Sequence, residues 1–244
     1  MRIGILETGP VNPALIDQHG PYTPMFDRFL KRADPSIETF AVLAYEGALP
    51  NIHDADGWMI TGSAYGAYED HAWLPAFEQF LRDAIATGVP IGGICFGHQI
   101  LAQALGGKVV KSDKGWGLGA QHYTLENAPT WASPIGASFT NFAVHQDQVV
   151  EVPPTGTVLA TNTFCQNAAL FYGDANAPQA ITVQPHPEFE AGFVEDIIDL
   201  RKGHSFTKEQ AESARATLTT PTSSQAWAEV FVKFFKDAVA RNAA

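Results

Sequence analysis

The side chain best placed for covalent chemistry in this sequence is Cys95, within the run Gly93-Ile94-Cys95-Phe96-Gly97-His98-Gln99. Residues 89–94 read as a buried apolar strand and 99–105 as a short helix, so Cys95 falls on a strand-to-helix turn in the pattern Gly-x-Cys-x-Gly. Such a turn needs small neighbours, here Gly93 and Gly97, because adjacent chain packs too closely for a Cβ; it is the thiol counterpart of a serine nucleophile elbow. At a helix start, unpaired N–H groups and the positive dipole end favour the thiolate, which is the reactive form of sulfur.

A free cysteine is more commonly a small core residue, so the assignment needs a partner base. Among eight histidines, the one in the most constrained setting is His186, in Gln184-Pro185-His186-Pro187-Glu188-Phe189. Pro187 keeps His186 out of the helical region and Pro185 has its own φ fixed, which stiffens the segment in an extended form. Side chains two apart in an extended chain share a side, so Glu188 can reach His186. A carboxylate there fixes the tautomer and stabilises the imidazolium that forms when the thiol gives up its proton. Alone, that segment would read as a solvated turn. An elbow and a stiffened His-x-Glu, each following an apolar strand, together point to Cys95, His186 and Glu188 as a catalytic triad at strand ends. Cys165 has neither flanking glycines nor a strand-to-helix setting and is expected only to pack. His98 is expected to pack within its helix, and no histidine pair has the spacing of a zinc site.

Stretches 2–6, 37–44, 57–61 and 89–94 have the apolar character of buried parallel strands, with helix-like stretches at 25–32 and 73–86 between them. That alternation predicts an α/β fold: a doubly wound, mostly parallel, flavodoxin-like sheet flanked by helices. After Gly106-Gly107 the pattern turns to short strands, at 121–125, 138–144, 157–160, 168–172 and 180–183. Beyond Glu190 it is helical again, with one stripe of Phe193, Ile197, Ile198 and Leu200 and another of Trp227, Phe231, Phe234 and Phe235. Ser224 is expected to cap the last helix, and 217–224 to be an exposed connector. The reading is one domain over 1–244, with a core at 1–193 and a helical C-terminal extension at 194–244.

The chain of 244 residues carries 26 acidic and 15 basic side chains, a formal charge of -11. That balance disfavours nucleic acid and anionic lipid surfaces as partners. The opening Met1-Arg2-Ile3-Gly4-Ile5-Leu6-Glu7 reads as a strand rather than a secretory leader, and no apolar run approaches a membrane span. Two cysteines give no disulfide framework, so free thiols in the cytoplasm are expected.

With the elbow and Gln184-Pro185-His186-Pro187-Glu188 in place, the sequence resembles the class I (triad) glutamine amidotransferase domain over roughly 1–193. The resemblance implies further roles. Thr61-Gly62-Ser63 is similar to the family's oxyanion loop, which implies that the N–H groups of Gly62 and Phe96 receive the developing oxyanion. Gln99 corresponds to a side chain that holds the glutamyl end of the substrate. Val144-His145-Gln146-Asp147 resembles the substrate-binding loop, with Gln146 where the guanylate synthase branch commonly has glycine, which implicates His145 and Gln146 in binding. The implied reaction is attack of Cys95 on a γ-glutamyl amide, release of ammonia or an amine protonated by His186, and hydrolysis of the thioester. No metal or organic cofactor is needed.

About fifty residues follow the triad, fewer than a synthetase domain requires, so the chain is expected either to work alone or to pair with a separate synthase subunit. It most resembles the stand-alone, guanylate-synthase-like branch, which includes γ-glutamyl peptidases. The favoured reading is a hydrolase of glutamine or a small γ-glutamyl amide. One rival is an ammonia-supplying glutaminase subunit. Another is a non-catalytic thiol-sensing module, which would have no use for an oriented base.

Overall fold

A computed structural model describes residues 1–126 and 128–243; Asn127, and Ala244 at the end of the expected extension, lie outside the described residues. The first strand, β1 (Arg2–Glu7), is buried from Ile3 onward, as befits a strand covered on both faces. Helices α1 (Pro13–His19) and α2 (Tyr22–Lys31) follow, then β2 (Glu38–Leu43), β3 (Gly57–Ile60), α3 (Leu74–Ala86), β4 (Ile91–Ile94) and α4 (Phe96–Ala104). Next come β5 (Lys108–Lys111), β6 (Gly117–Leu125), β7 (Ser138–His145), β8 (Asp147–Glu151), β9 (Gly156–Thr161), β10 (Ala169–Asp174) and β11 (Ala177–Val183). Helices α5 (Ala191–Arg201), α6 (Lys208–Arg215) and α7 (Ser224–Asn242) complete the order.

Nine strands form one sheet in the order β2-β1-β3-β4-β11-β10-β9-β6-β7, while β5 and β8 pair separately. The first five are mutually parallel, and the strands from β10 onward continue the sheet antiparallel, where the sequence changes character after Gly107. Helices cover both faces. On one, Phe26, Phe29 and Leu30 of α2 and Trp227, Phe231 and Phe235 of α7 pack on Ile3, Met59 and Ile181. On the other, Phe77, Phe80 and Leu81 of α3 and Ile100 and Leu101 of α4 pack on Leu6, Trp58 and Ile91. Each such fully buried side chain contributes about 1.5–3 kcal/mol relative to exposure.

The C-terminal helices differ from their sequence reading. Helix α5 begins at Ala191, and α7 packs in the main core beside β1, β3 and β11. Ser224 does not cap α7: Ser223 holds the cap position without a side-chain bond, and the Ser224 hydroxyl is directed elsewhere. The polar stretch before it contains a helix, α6, capped by Thr207 and Gln210 in a reciprocal capping box. No helix among the described residues is long and apolar enough to cross a membrane.

Candidate active site

Strands β3, β4 and β11 are neighbours in the parallel half, with Ile60 opposite Gly93 and Val183 opposite Ile94. Gly62, Cys95 and His186 therefore leave the sheet from three adjacent carboxyl ends, where open α/β sheets form their crevices. Cys95 has φ 54° and ψ -102°, and it is the one non-glycine residue with positive φ among the described residues. Holding a side chain there costs about 1–3 kcal/mol, so its surroundings must impose it. Cys95 N–H donates to Val183 O at 2.9 Å, Gln99 N–H to Cys95 O at 3.1 Å, and Gly97 N–H to Thr61 O at 3.1 Å. A Cβ on Gly97 would lie 2.6 Å from Ile60 O, and one on Gly93 2.7 Å from Gly97 O. The two glycines let α4 start directly against β3 and β4.

His186 is pinned through its backbone, N–H donating to Phe142 O at 2.7 Å, and through its ring, with Nδ1 2.7 Å from Glu188 Oε1. Both side chains are buried. The imidazole also stacks on Phe189, centroids 3.9 Å apart and planes 6° from parallel. Between the pair, Pro187 O accepts a 2.5 Å hydrogen bond from Ser224 Oγ, which itself accepts one from Arg32 Nη1 at 2.9 Å. Burial alone would lower the His186 pKa; the Glu188 carboxylate, and then the nearby sulfur of Cys95, outweigh it and hold the pKa above the usual imidazole value. With Nδ1 donating to Glu188, Nε2 is left to exchange a proton with sulfur.

The remaining residues singled out in the sequence converge on the same place. A Cβ built on Gly62 would lie 3.0 Å from His186 Cε1 and 3.7 Å from Cys95 Cβ, so this loop touches both. Phe96 opens α4 directly after Cys95, and helix geometry leaves its N–H without an intrahelical acceptor. Gln99, His145 and Gln146 line a cavity of about 150 Å³ that Cys95 also borders. Their side chains are engaged: Gln99 Nε2 donates to Asp147 O at 2.9 Å and Gln184 Oε1 at 3.1 Å, and Gln146 Nε2 to Ser112 O at 3.0 Å. His145 Nδ1 lies 3.2 Å from Asp147 O, and burial, with His186 nearby, lowers its pKa to about 4, which leaves it neutral. Gln99 thus ties the 145–147 turn to the end of β11.

His98 and Cys165 stand apart. His98 Nδ1 lies 2.8 Å from Thr182 Oγ1, where burial holds the ring neutral with a pKa of about 3, a link between α4 and β11. Cys165 is fully buried in the core, and burial pushes its thiol up to about 12. Two residues near Cys95 had no sequence signal. Tyr22 of α2 and Arg201 of α5 both line a small cavity with Cys95, His186 and Gly62. The Tyr22 phenol is raised above its ordinary pKa by burial, then by Cys95 and Glu188, so it is a neutral donor. Chemically, the arrangement supplies sulfur at a helix start, an oriented imidazole, and backbone amides beside both. That combination can add a thiol to a carbonyl and protonate a leaving amine.

Residues 15–195 match the sequence profile of the family described as glutamine amidotransferase class-I. The chain is 32% identical over 190 residues to a glutamine amidotransferase-like protein of Schizosaccharomyces pombe, covering 76% of this chain and 73% of that one. It is 27% identical over 229 residues to gamma-glutamyl peptidase 4 of Arabidopsis thaliana, covering 89% and 88%. A glutamine amidotransferase from Thermotoga maritima shares the fold, with a TM-score of 0.75 at 18% identity over 97% of this chain and 98% of that one.

Proposed function

This chain belongs to the class I glutamine amidotransferase family, and from that premise we propose that it hydrolyses a γ-glutamyl amide through a γ-glutamyl thioester on Cys95. The observation that carries the proposal is the row of three side chains: Cys95 at the start of α4, beside an imidazole whose other nitrogen is 2.7 Å from a buried carboxylate. In the first half, Cys95 gives its proton to His186 and its sulfur adds to the amide carbon. The oxyanion is received by the N–H groups of Gly62 and Phe96. The C–N bond then breaks as His186, held protonated by Glu188, passes the proton to the departing amine. In the second half, water gives a proton to neutral His186 and adds to the thioester; collapse returns the proton to sulfur and releases glutamate. Glu188 accepts from Nδ1 throughout, which keeps Nε2 toward the sulfur.

The relative named as a gamma-glutamyl peptidase, aligned over most of both chains, supports the hydrolase reading. Gln99, His145 and Gln146 are assigned to the glutamyl side, where they shape the cavity next to Cys95. The test is a panel of glutamine, glutathione and γ-glutamyl amines with the purified chain alone, read as released glutamate, beside Cys95→Ala. Turnover by wild type and none by Cys95→Ala is expected. Turnover retained by Cys95→Ala would remove the nucleophile, and glutamine turnover that appears only on addition of a synthase would favour the ammonia-supplying role.

A further inference from the structure

The space around Cys95 is divided, and its two sides differ in chemistry. On the Gln99 side the cavity carries Glu69, Lys111 and Asp147, charges of both signs suited to the ammonium and carboxylate of a glutamyl group. The other side is bordered by His186, Gly62 and Tyr22. His186 borders that second space and not the first, so the amine it protonates departs there. Tyr22, Ala64, Ile197 and Arg201 continue from it into a cavity of about 210 Å³ whose further walls are apolar, among them Val11, Leu15, Phe193 and Leu200.

Arg201 is the cation at this junction. It borders all three spaces, and its guanidinium carbon lies 5.8 Å from the centroid of the Trp116 ring. Among the described residues, no carboxylate is within ion-pair distance of it, although the chain is acidic and its neighbour on α6, Arg215, pairs with both Glu195 and Asp199. A planar, donor-rich fork left open beside an apolar cavity fits a carboxylate attached to an apolar group.

Resting on the hydrolase reading above, we propose that this region is a leaving-group subsite. The displaced amine is an α-amino acid with an apolar side chain, Arg201 receives its carboxylate, and the cavity lined by Leu15 and Ile197 receives its side chain. The preferred substrate is then a γ-glutamyl conjugate such as γ-glutamyl-leucine. Cleavage follows the steps already given, with the leucine nitrogen taking the His186 proton as its bond to the glutamyl carbon breaks. Ammonia, the leaving group from glutamine, would leave both the cation and the apolar walls unused.

The experiment compares kcat/KM for γ-glutamyl-leucine, γ-glutamyl-isopentylamine, γ-glutamyl-lysine linked through the lysine α-nitrogen, and glutamine, in wild type, Arg201→Gln and Arg201→Lys. Isopentylamine is leucine without its carboxylate, so the first two substrates isolate that group. Wild type should favour γ-glutamyl-leucine over each of the others. The leucine-to-isopentylamine ratio should fall about tenfold or more in Arg201→Gln, the scale of one charge-assisted hydrogen bond, and recover in part in Arg201→Lys. Glutamine within about twofold of γ-glutamyl-leucine, or an unchanged ratio in Arg201→Gln, overturns the subsite and leaves hydrolysis standing. Glutamate released from none of the four overturns the hydrolase reading and the subsite with it.

Discussion

Replacing Glu188 by Gln tests the row Cys95, His186, Glu188 at the point where its electrostatics can be worked out. Glu188 is buried, one oxygen sits 2.7 Å from His186 Nδ1, and the other has no hydrogen-bond partner among the described residues. Its negative charge is therefore directed mainly at the imidazole. Glutamine keeps the shape and an acceptor oxygen but not the charge. A hydrogen bond to a charged group contributes about 1.5–3 kcal/mol and a neutral one about 0.5–1.5, so the variant should lose about 1–2 kcal/mol of imidazolium stabilisation. Turnover should then fall roughly 5- to 30-fold. A larger loss, up to about 10⁴-fold, is expected if the new amide turns its NH2 toward Nδ1 and reverses the tautomer. The pH profile gives a second, independent readout. Glu188 is a main cause of the raised His186 pKa, so its loss lowers that pKa. The step that protonates the amine needs His186 charged and fails as pH rises through the pKa, so the alkaline limb of kcat must move to lower pH. Glutamate release measured as kcat against pH checks both effects. A kcat within twofold of wild type with an unmoved alkaline limb would refute the assignment of Glu188.

Three further expectations concern the same site. A diazo-ketone analogue of glutamine should alkylate Cys95 and spare Cys165, whose thiol burial keeps protonated; mass spectrometry finding label on Cys165 alone would reverse the assignment. Gly97→Ala places a Cβ 2.6 Å from Ile60 O and should cost about 1–3 kcal/mol in overpacking, a melting point lower by roughly 2–12 °C, together with most activity. An unchanged melting point would show that the elbow has room. Ser224→Ala removes the donor to Pro187 O, leaves that acceptor unpaired, and should cost about 1–3 kcal/mol with a several-fold loss of kcat. Thermal unfolding combined with turnover checks it, and loss of stability at full kcat would separate Ser224 from the positioning of His186.

What could be read from the sequence follows the range of the forces involved. The elbow and the strand before it were legible because Gly93, Cys95 and Gly97 fall within five residues of chain, although the contacts that require Gly97 to be small come from Ile60 on a different strand. His186 and Glu188 were legible because two prolines and a spacing of two act locally. The parallel strands at 2–6 and 57–61 announced themselves as apolar runs, and α3 by its helical stripe. Other elements hid for definite reasons. The start of β6 looked broken because of Gly117 and Gly119, yet Gly119 is small so that Thr217 can approach, where a Cβ would lie 2.4 Å from Thr217 Oγ1. Helix α1 did carry a local signal, Asn12 capping Ala14 N–H with Pro13 at the first turn, but its seven residues bury one leucine. Helix α6 was masked by its polarity, since Ala211 and Ala214 are its buried residues. Tyr22 and Arg201 could not be found at all, because no spacing relates them to Cys95; α2 and α5 bring them there only after the sheet has formed.

The hydrogen bond from Ser224 to Pro187 also has a meaning in time. The two residues are 37 apart in the chain, and β11 with His186 leaves the ribosome before the start of α7 does. At about 5–20 residues per second, the loop bearing His186 waits roughly 2–7 seconds for the serine that braces it, and longer for Trp227, Phe231 and Phe235 to close the face of the sheet beneath it. During that interval a nascent chain holds its thiol and its histidine but not the frame that aligns them. Alignment of Cys95 and His186 is thus reserved for a chain synthesised past the start of α7, and a message interrupted between those points would yield a product that carries both side chains without the frame that aligns them.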